Sequence, residues 1–416
     1  MAINIEKQSN KFVKPLVPTP PTLRRYKTGF IDELAPSMNV SIVLFFSKNN
    51  NNHNPKLVTG LEQSLAKTLT HFYPLAGRYI DETCTTDCND EGVEFVHAKV
   101  NIKLQDILAN EANVKFVDEF IPSKAVTANI LLAIQATMFE CGGATLGVSV
   151  AHKIADASTL STFLNAWGVV NREANDTEFT NSGFNSSLLF PGHCFKPIPA
   201  QSISDEDMSR KYVRLKLSFS EDAISEMKAK AISKGQWSKV QLVTAIIWKA
   251  LIGVDLANNN PRESILLQPV NLREKTASLI PKHCCGNLWG FCATKAAGID
   301  ESTEELADHL TDNVKRTVNN FSKVNHKSEE GQSMVLNSFK LPNVMESSKV
   351  IMLTSWCKFP FYEVDFGFGK PDWVAPGWVP VMNTGYLMDD EGGNGVDAHI
   401  LLEAKDVPYF EKALQV

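Results

Sequence analysis

One stretch near the middle of the chain constrains the fold most, because it predicts a buried strand followed directly by a helix. Leu146, Val148 and Val150 alternate with smaller residues, which is the period of a strand with one buried face. The next apolar residues recur at helical spacing, and they are Leu160, Phe163, Leu164 and Trp167.

His152 lies where this strand gives way to the helix, and Asp156 and Ser158, both of helix-capping type, follow it. An imidazole with apolar residues behind it is a candidate general base, since histidine titrates near neutral pH. Most single histidines near strand ends are structural or solvated, and the sequence has nine histidines. The H-x-x-x-D spacing of His152 and Asp156 is loose, so the hypothesis needs a second signal.

The second signal lies at residues 354–371, which contain Thr354-Ser355-Trp356 and, further on, Asp365-Phe366-Gly367-Phe368-Gly369. The glycines Gly367 and Gly369, on either side of an aromatic residue, indicate tight backbone curvature. D-F-G also occurs in protein kinases. This sequence lacks the glycine-rich loop, the strand lysine and the H-R-D loop that accompany it there, so the kinase interpretation fails.

Composition and charge narrow the class of protein. The 416 residues are 44% hydrophobic and 21% charged, typical of globular domains with sizeable cores. The net charge is −6 and no long Lys/Arg cluster occurs, so we expect no nucleic-acid or membrane partner. No apolar run approaches 18 residues, and the N-terminus lacks a signal-peptide core. The eight cysteines show no zinc spacing. We therefore expect a cytoplasmic chain with reduced thiols and no metal.

Predicted strands and helices alternate along the chain, which indicates an α/β (mixed α+β) fold. Periodicity vanishes from residue 171 to about residue 210, where Ser, Asn, Pro and Gly accumulate. We predict an N-terminal domain at 1–190, a crossover linker at 191–210 and a C-terminal domain at 211–416. The predicted strands are 40–46, 94–103, 131–139, 212–217 and 264–270, and the predicted helices are 57–72, 160–167, 238–251 and 306–321.

H-x-x-x-D in the middle of the chain, together with D-F-G-x-G near its end, resembles the BAHD acyltransferases of plant specialised metabolism. The resemblance spans nearly the whole chain, through further stretches in the same order, which are Y-P-L-A-G-R at 73–78, F-E-C-G-G at 139–143, N-L-R at 271–273 and T-S-W at 354–356. Within the family, the sequence is similar to the subgroup that acetylates alkaloid and terpenoid alcohols. The Y-F-G-N-C motif of anthocyanin malonyltransferases is missing.

The resemblance implies a monomer of two similar domains, each a mixed sheet flanked by helices, with a solvent channel at their interface. Acyl-CoA would enter as a co-substrate from one face and a small-molecule acceptor from the other, with no permanently bound cofactor. A segment near 360–385 would return to pack with the N-terminal domain. Phe368 stands where the family usually has tryptophan, so the indole N–H donor is absent there.

The resemblance also implies roles for single residues. His152 would be the general base in direct acyl transfer, with Thr354 and Trp356 stabilising the oxyanion, although Trp356 could equally be a packing residue. Asp156 and Arg273 would form a structural pair, and we assign Asp365, Gly367 and Gly369 structural roles as well. Ser238 and Lys239 begin a predicted helix whose N-terminus could receive a CoA phosphate.

No nucleophile elbow accompanies His152, because residues 147–151 read G-V-S-V-A and lack the closing glycine. We therefore predict direct transfer without an acyl-enzyme, and the family resemblance implies an acetyl-CoA-dependent O-acyltransferase that acts on an alkaloid or terpenoid hydroxyl. The alternatives are a weakly active or inactive relative that binds a ligand, and an acyltransferase with a larger acyl-CoA or an amine acceptor. A metal hydrolase using His152 and Asp156 would lack a third ligand. A condensation-type domain usually has a doubled histidine, whereas Ala151 stands here.

Overall fold

The computed structural model describes residues 3–47, 57–109, 111–122, 129–172, 183–197, 207, 211–231, 236–340, 348–377, 379 and 381–414. The strands in chain order are β1 (Ile5–Val13), β2 (Arg25–Lys27), β3 (Asn39–Phe46), β4 (Arg78–Ile80), β5 (Thr85–Asp87), β6 (Val93–Val100), β7 (Leu132–Phe139), β8 (Ala144–Ala151), β9 (Tyr212–Phe219), β10 (Ser264–Asn271), β11 (Trp289–Lys295), β12 (Lys349–Ser355), β13 (Trp373–Pro376), β14 (Thr384–Asp389) and β15 (Val396–Glu403).

The α-helices in chain order are α1 (Phe30–Leu34), α2 (Leu57–His71), α3 (Leu104–Leu108), α4 (Ala157–Arg172), α5 (Ser186–Leu189), α6 (Glu221–Lys230), α7 (Lys239–Ala257), α8 (Thr303–Phe321), α9 (Glu329–Ser338) and α10 (Val407–Leu414). Short 3-10 helices lie at Pro21–Leu23, Tyr73–Ala76, Asp81–Thr83, Glu111–Phe120 and Phe361–Glu363. The predicted mixed α/β class is confirmed. Each strand and helix predicted from periodicity is present, although α4 extends beyond both ends of the predicted 160–167 and α7 continues past residue 251 to Ala257.

The chain divides into two units, and each is built from separate segments. Unit 1 comprises Met1–Pro199, Pro281–Leu288 and Phe359–Val379, and unit 2 comprises Ala200–Ile280, Trp289–Lys358 and Pro380–Val416. The segment Pro281–Leu288 lies inside the range that the sequence assigned to the C-terminal domain. Most of the predicted linker 191–210 is outside the described residues, which there include only 191–197 and 207.

Unit 1 contains a six-stranded sheet in the order β1-β6-β7-β8-β3-β13, and a small sheet in the order β2-β5-β4. Strands β7 and β8, which follow each other in the chain, pair antiparallel as a hairpin. Strand β3 lies between β8 and β13. Residues Val40–Phe46 of β3 are all buried. Helix α4 packs against α2, where the Trp167 indole donates a hydrogen bond to Ser64 Oγ at 2.9 Å. This hydrogen bond fixes the second half of α4 against α2.

Unit 2 contains a second six-stranded sheet in the order β11-β10-β12-β14-β15-β9, with β10, β12 and β14 parallel. Its core packs on α7, which begins as predicted at Ser238 with a capping box to Gln241. By length and composition α7 could cross a membrane, but 61% of its most apolar window is buried inside the structure. That burial is typical of the core helix of a globular protein.

Strand β1 was not predicted from the sequence. Its residues Ile5–Phe12 are almost all exposed, so no apolar alternation marks it. It forms because its backbone pairs antiparallel with β6 along the edge of the sheet. Charged side chains on such an edge prevent pairing with other chains. Residues 11–25 contain the end of β1, a 3-10 helix and the start of β2.

Replacing Phe366 with alanine should destabilise the protein strongly. The ring is 2% exposed and packs edge-on against Trp167, with centroids 4.9 Å apart. Removing a buried phenylalanine typically costs about 3–5 kcal/mol. Denaturant unfolding of Phe366→Ala measures this cost. The matched control is Leu188→Ala, since Leu188 is 77% exposed and its loss should change the free energy of unfolding by less than about 0.5 kcal/mol. Equal effects of the two changes would contradict the packing described here.

Candidate active site

His152 is the first residue after β8, in a turn that leads to α4. Its backbone N–H donates to the Met38 carbonyl at 2.9 Å, and Ile154 closes the turn by donating to the Ala151 carbonyl at 3.1 Å. The turn forms here because β8 has reached the end of its pairing with β3 at Asn39 and Ala151. The strand-end position predicted for His152 is confirmed.

Asp156 caps the N-terminus of α4. Its Oδ1 accepts a hydrogen bond from the Thr159 N–H at 2.8 Å, and its Oδ2 accepts one from the Leu288 N–H at 3.1 Å. Ser158, the other capping candidate, lies inside the first turn of the helix. Both carboxylate oxygens therefore bind backbone donors, which fixes the helix start that follows His152.

Asn287 connects the His152 turn to a buried carboxylate. The amide Nδ2 donates to the His152 carbonyl at 2.6 Å and to Asp32 Oδ1 at 2.9 Å. The backbone N–H of Asn287 also donates to Asp32 Oδ1, at 2.7 Å. The other oxygen of Asp32 accepts from the Gly29 N–H at 2.8 Å and from the Ser186 hydroxyl. The fully buried carboxylate of Asp32 in α1 thus fixes Asn287. Asn287 in turn fixes the backbone of His152.

The electrostatics of this network favour a neutral imidazole. Burial lowers the pKa of His152 below its ordinary value, and the nearby charge of Asp156 only partly opposes this. Burial also raises the pKa of Asp32 to about 6, although hydrogen bonds from Ser186, Asn287 and Gly29 work in the opposite direction. A histidine that is neutral at pH 7 can accept a proton, as a general base must.

Ser149, the hydroxyl residue of β8 nearest to His152 in the chain, is buried in a hydrogen-bonded cluster. Its Oγ accepts from Asn39 Nδ2 at 3.0 Å and from the Ser41 hydroxyl at 3.0 Å. Neither contact is with a base. This arrangement is typical of sheet packing, and it offers no activated nucleophile.

Thr354 and Trp356 lie in unit 2, at the end of β12. Thr354 is partly buried and stands opposite Tyr386 of β14. The backbone N–H of Trp356 donates to the Leu387 carbonyl at 2.7 Å. The Trp356 ring packs edge-on against Tyr386, with centroids 5.1 Å apart. Their assignment to the oxyanion stays a prediction.

The D-F-G-F-G segment forms a tight turn in unit 1. Asp365 Oδ1 accepts from the backbone N–H of Gly367 at 2.7 Å and of Gly369 at 3.2 Å. Both glycines have positive φ, 91° and 106°, which a residue with a side chain rarely adopts. Phe368 is buried edge-on against Phe46, with centroids 5.0 Å apart. These contacts support the structural roles predicted for Asp365 and the two glycines.

The residues assigned to CoA are engaged within unit 2. The Lys239 ammonium donates to Asp389 Oδ1 at 2.7 Å, to the Gly393 carbonyl at 2.7 Å and to the Gly395 carbonyl at 2.9 Å. Ser238 caps α7. Because an ammonium has three N–H donors, phosphate binding by Lys239 would require these bonds to be exchanged, and that role stays a prediction.

Arg273 is 3% exposed, and its Nη1 donates to Asn271 Oδ1 at 3.2 Å. Its pairing with Asp156 also stays a prediction. Neither Asp32 nor Asn287 was singled out from the sequence. Neither residue belongs to a recognisable sequence motif, and only the folded chain brings them together.

Comparison with known proteins defines the class. The family model described as "Transferase family" matches residues 3–415. The chain is 34% identical to vinorine synthase of Rauvolfia serpentina over 96% of its own length and 94% of the relative's. The chain therefore belongs to the BAHD acyltransferase family, whose members use acyl-CoA as a co-substrate without a permanent cofactor, and it is an acyltransferase.

Two further relatives give the range of the family around this chain. A limonoid 21-O-acetyltransferase of Melia azedarach is 30% identical, with 99% of this chain and 96% of the relative covered. A pelargonidin glucoside malonyltransferase of Salvia splendens is 31% identical, with 100% and 99% covered.

Two solved structures share the fold. The crystal structure of vinorine synthase superposes with a TM-score of 0.86 at 32% identity, covering 98% of this chain and 96% of that chain. The structure of Fusarium sporotrichioides TRI101 with coenzyme A and T-2 gives a TM-score of 0.72 at 19% identity, covering 93% and 97%. The second likeness concerns the fold alone. The predicted two-domain architecture of the family is confirmed.

Replacing Asp32 with asparagine should change how stability depends on pH. The pKa of Asp32 rises from 3.8 to about 6 on folding, so between these pH values the native state retains a proton that the unfolded chain has released. The free energy of unfolding of the wild type should therefore fall by about 3 kcal/mol as the pH rises through this range. In Asp32→Asn this decline should disappear.

Denaturant unfolding of both proteins at pH values below, within and above this range makes the measurement. The His152 titration is common to both proteins, so the difference between their curves isolates Asp32. Parallel curves would contradict the assignment.

Proposed function

We propose that this protein transfers an acetyl group from acetyl-CoA to a hydroxyl group of a plant alkaloid or terpenoid, with His152 as general base. The observation that carries the proposal is the position of His152 at a strand end, where Asn287 fixes its backbone carbonyl and burial lowers its pKa. The acceptor class is supported by the resemblance to alkaloid and terpenoid acetyltransferases and by the limonoid relative. A monomeric state and a cytoplasmic location stay predictions.

The chemistry requires a base because an alcohol is a very weak acid. As the acceptor oxygen attacks the thioester carbonyl, His152 removes the hydroxyl proton, which leads to a tetrahedral intermediate. Collapse of this intermediate breaks the carbon–sulfur bond, and the imidazolium returns its proton to the departing thiolate. The products are the acetyl ester and free CoA. This route needs no acyl-enzyme, and the hydrogen-bonded Ser149 offers no nucleophile for one.

The oxyanion of the intermediate needs hydrogen-bond donors. We assign this role to the hydroxyl of Thr354 and to the indole N–H of Trp356. The position of Thr354 at the end of a parallel strand supports the assignment, because such strand ends commonly carry functional groups in α/β proteins.

The same assay also tests acyl donors other than acetyl-CoA. The Salvia relative is named as a malonyltransferase, whereas the anthocyanin malonyltransferase motif is missing from this sequence. Malonyl-CoA and an aromatic acyl-CoA therefore follow acetyl-CoA in the assay, and amines follow hydroxylated acceptors.

The first test is the release of free CoA thiol from acetyl-CoA across a panel of hydroxylated alkaloids and terpenoids. We expect acceptor-dependent release by the wild type that His152→Ala abolishes, because the base is gone. The pKa of His152 is lowered, so the rate should be maintained down to about pH 6.5 and decline only below it.

The matched control is His283→Ala, since His283 is exposed and in the same unit. This variant should retain wild-type rates. Release that persists in a folded His152→Ala protein would refute the general-base role.

Replacing Thr354 with valine tests the oxyanion assignment. Valine keeps the shape and removes the donor, so kcat should fall about 10²–10³-fold. The control is Ser355→Ala on the same strand, because the Ser355 hydroxyl accepts a bond from the Cys357 N–H at 3.3 Å and has no role in the chemistry. A kcat within about twofold of wild type for Thr354→Val would mean that another donor stabilises the oxyanion.

A further inference from the structure

Two thiols and a carboxylate converge in unit 1, in a cluster that the acyl-transfer chemistry does not use. The side-chain ligand atoms of Glu33, Cys84 and Cys194 lie within 4.8 Å of one another. Glu33 is buried, Cys84 is partly buried and Cys194 is exposed. Solvent and ions therefore reach the cluster from the side of Cys194.

The carboxylate of Glu33 is fixed before any ligand arrives. Its Oε2 accepts from the backbone N–H groups of His193 and Phe195, both at 2.9 Å. Its Oε1 lies so close to Gly192 that a Cβ there would stand 2.2 Å from it. Because Gly192 has no side chain, the Glu33 carboxylate can pack against the loop at 191–195. Glu33 therefore provides one rigid oxygen donor.

The two cysteines face this carboxylate from separate turns. Cys84 ends the 3-10 helix before β5, and Cys194 lies in the loop at 191–195, and both have positive φ, 50° and 55°. Cys84 is within hydrogen-bonding reach of the Cys194 thiol. Burial, the Cys194 thiol and the Glu33 charge all raise the pKa of Cys84, to about 11.

We propose that Glu33, Cys84 and Cys194 bind a thiophilic divalent cation such as Zn²⁺. Thiolate sulfur and carboxylate oxygen are both zinc donors, and three protein ligands with a water in the fourth position make a tetrahedral site. Zinc–ligand bonds of about 2.0–2.3 Å require the three donor atoms to draw slightly closer, and exposed Cys194 can make that movement. Binding releases the two thiol protons to the solvent.

The site was invisible in the sequence, which predicted no metal. Its three residues are far apart along the chain, so no ligand spacing connects them. It also lies outside the acyl-transfer site, since the cluster does not include His152. Glu33 is nevertheless the neighbour of Asp32 in the short helix α1, so a bound ion would brace the helix that holds Asn287.

The test is a titration of the full-length, metal-free protein with Co²⁺ in the presence of a phosphine reductant. A cobalt ion bound by thiolates absorbs through sulfur-to-metal charge transfer, and Zn²⁺ should displace it. We expect one ion per chain in the wild type. Cys84→Ser and Cys194→Ser should each lower the affinity at least tenfold and remove most of the charge-transfer band, and Zn²⁺ should raise the melting temperature of the wild type but not of these two variants.

The matched control is Cys141→Ser, a free thiol outside the cluster, which should titrate like the wild type. Exposed Cys194 makes its serine variant safe for folding, so loss of the band there cannot be ascribed to unfolding when the circular dichroism is unchanged. A wild type without the charge-transfer band, or a band that survives in both cluster variants, overturns the proposal. A Cys84–Cys194 disulfide that resists the reductant overturns it as well. None of these outcomes depends on acyl-transfer activity.

Discussion

The site that we propose for acyl transfer depends on the burial of one negative charge. Asp32 lies in an interior where an isolated carboxylate would be strongly unfavourable, and it is tolerated because backbone and side-chain donors surround it. Those donors include Asn287, whose amide also binds the His152 carbonyl. The cost of burying Asp32 is therefore offset by bonds that also fix the backbone of His152. The backbone of His152 is thus positioned by an amide and a carboxylate that lie far from it in the sequence.

Much of this could be predicted from the sequence. The buried strand before His152, the helix after it and the Ser238 cap each follow from a local rule of periodicity or capping, and local rules hold wherever a segment packs one face. The family resemblance extended the prediction to the two-domain fold. Strand β1 could not be predicted from periodicity, because backbone pairing forms it with almost no burial of side chains.

The residues that fix the His152 backbone could not be predicted from the sequence for a different reason. Asp32 and Asn287 are 255 residues apart, and neither belongs to a pattern that a single sequence displays. The same holds for Glu33, Cys84 and Cys194. Contacts of this kind arise from the path of the whole chain, so they become visible only when tertiary structure is known. For Lys239, the position at a helix N-terminus predicted phosphate binding, whereas in the structure its ammonium donates to Asp389 and to two backbone carbonyls.

The segmented make-up of unit 1 has a consequence for biosynthesis. Its final segment, Phe359–Val379, supplies β13 beside β3 and the turn around Phe366. A ribosome delivers residues from the N-terminus at about 5–20 per second, so the first 199 residues wait many seconds for their last strand. Until then one edge of β3 and the apolar surface beneath Phe366 are open to other chains. During translation, the half that carries His152 should be the part that engages chaperones.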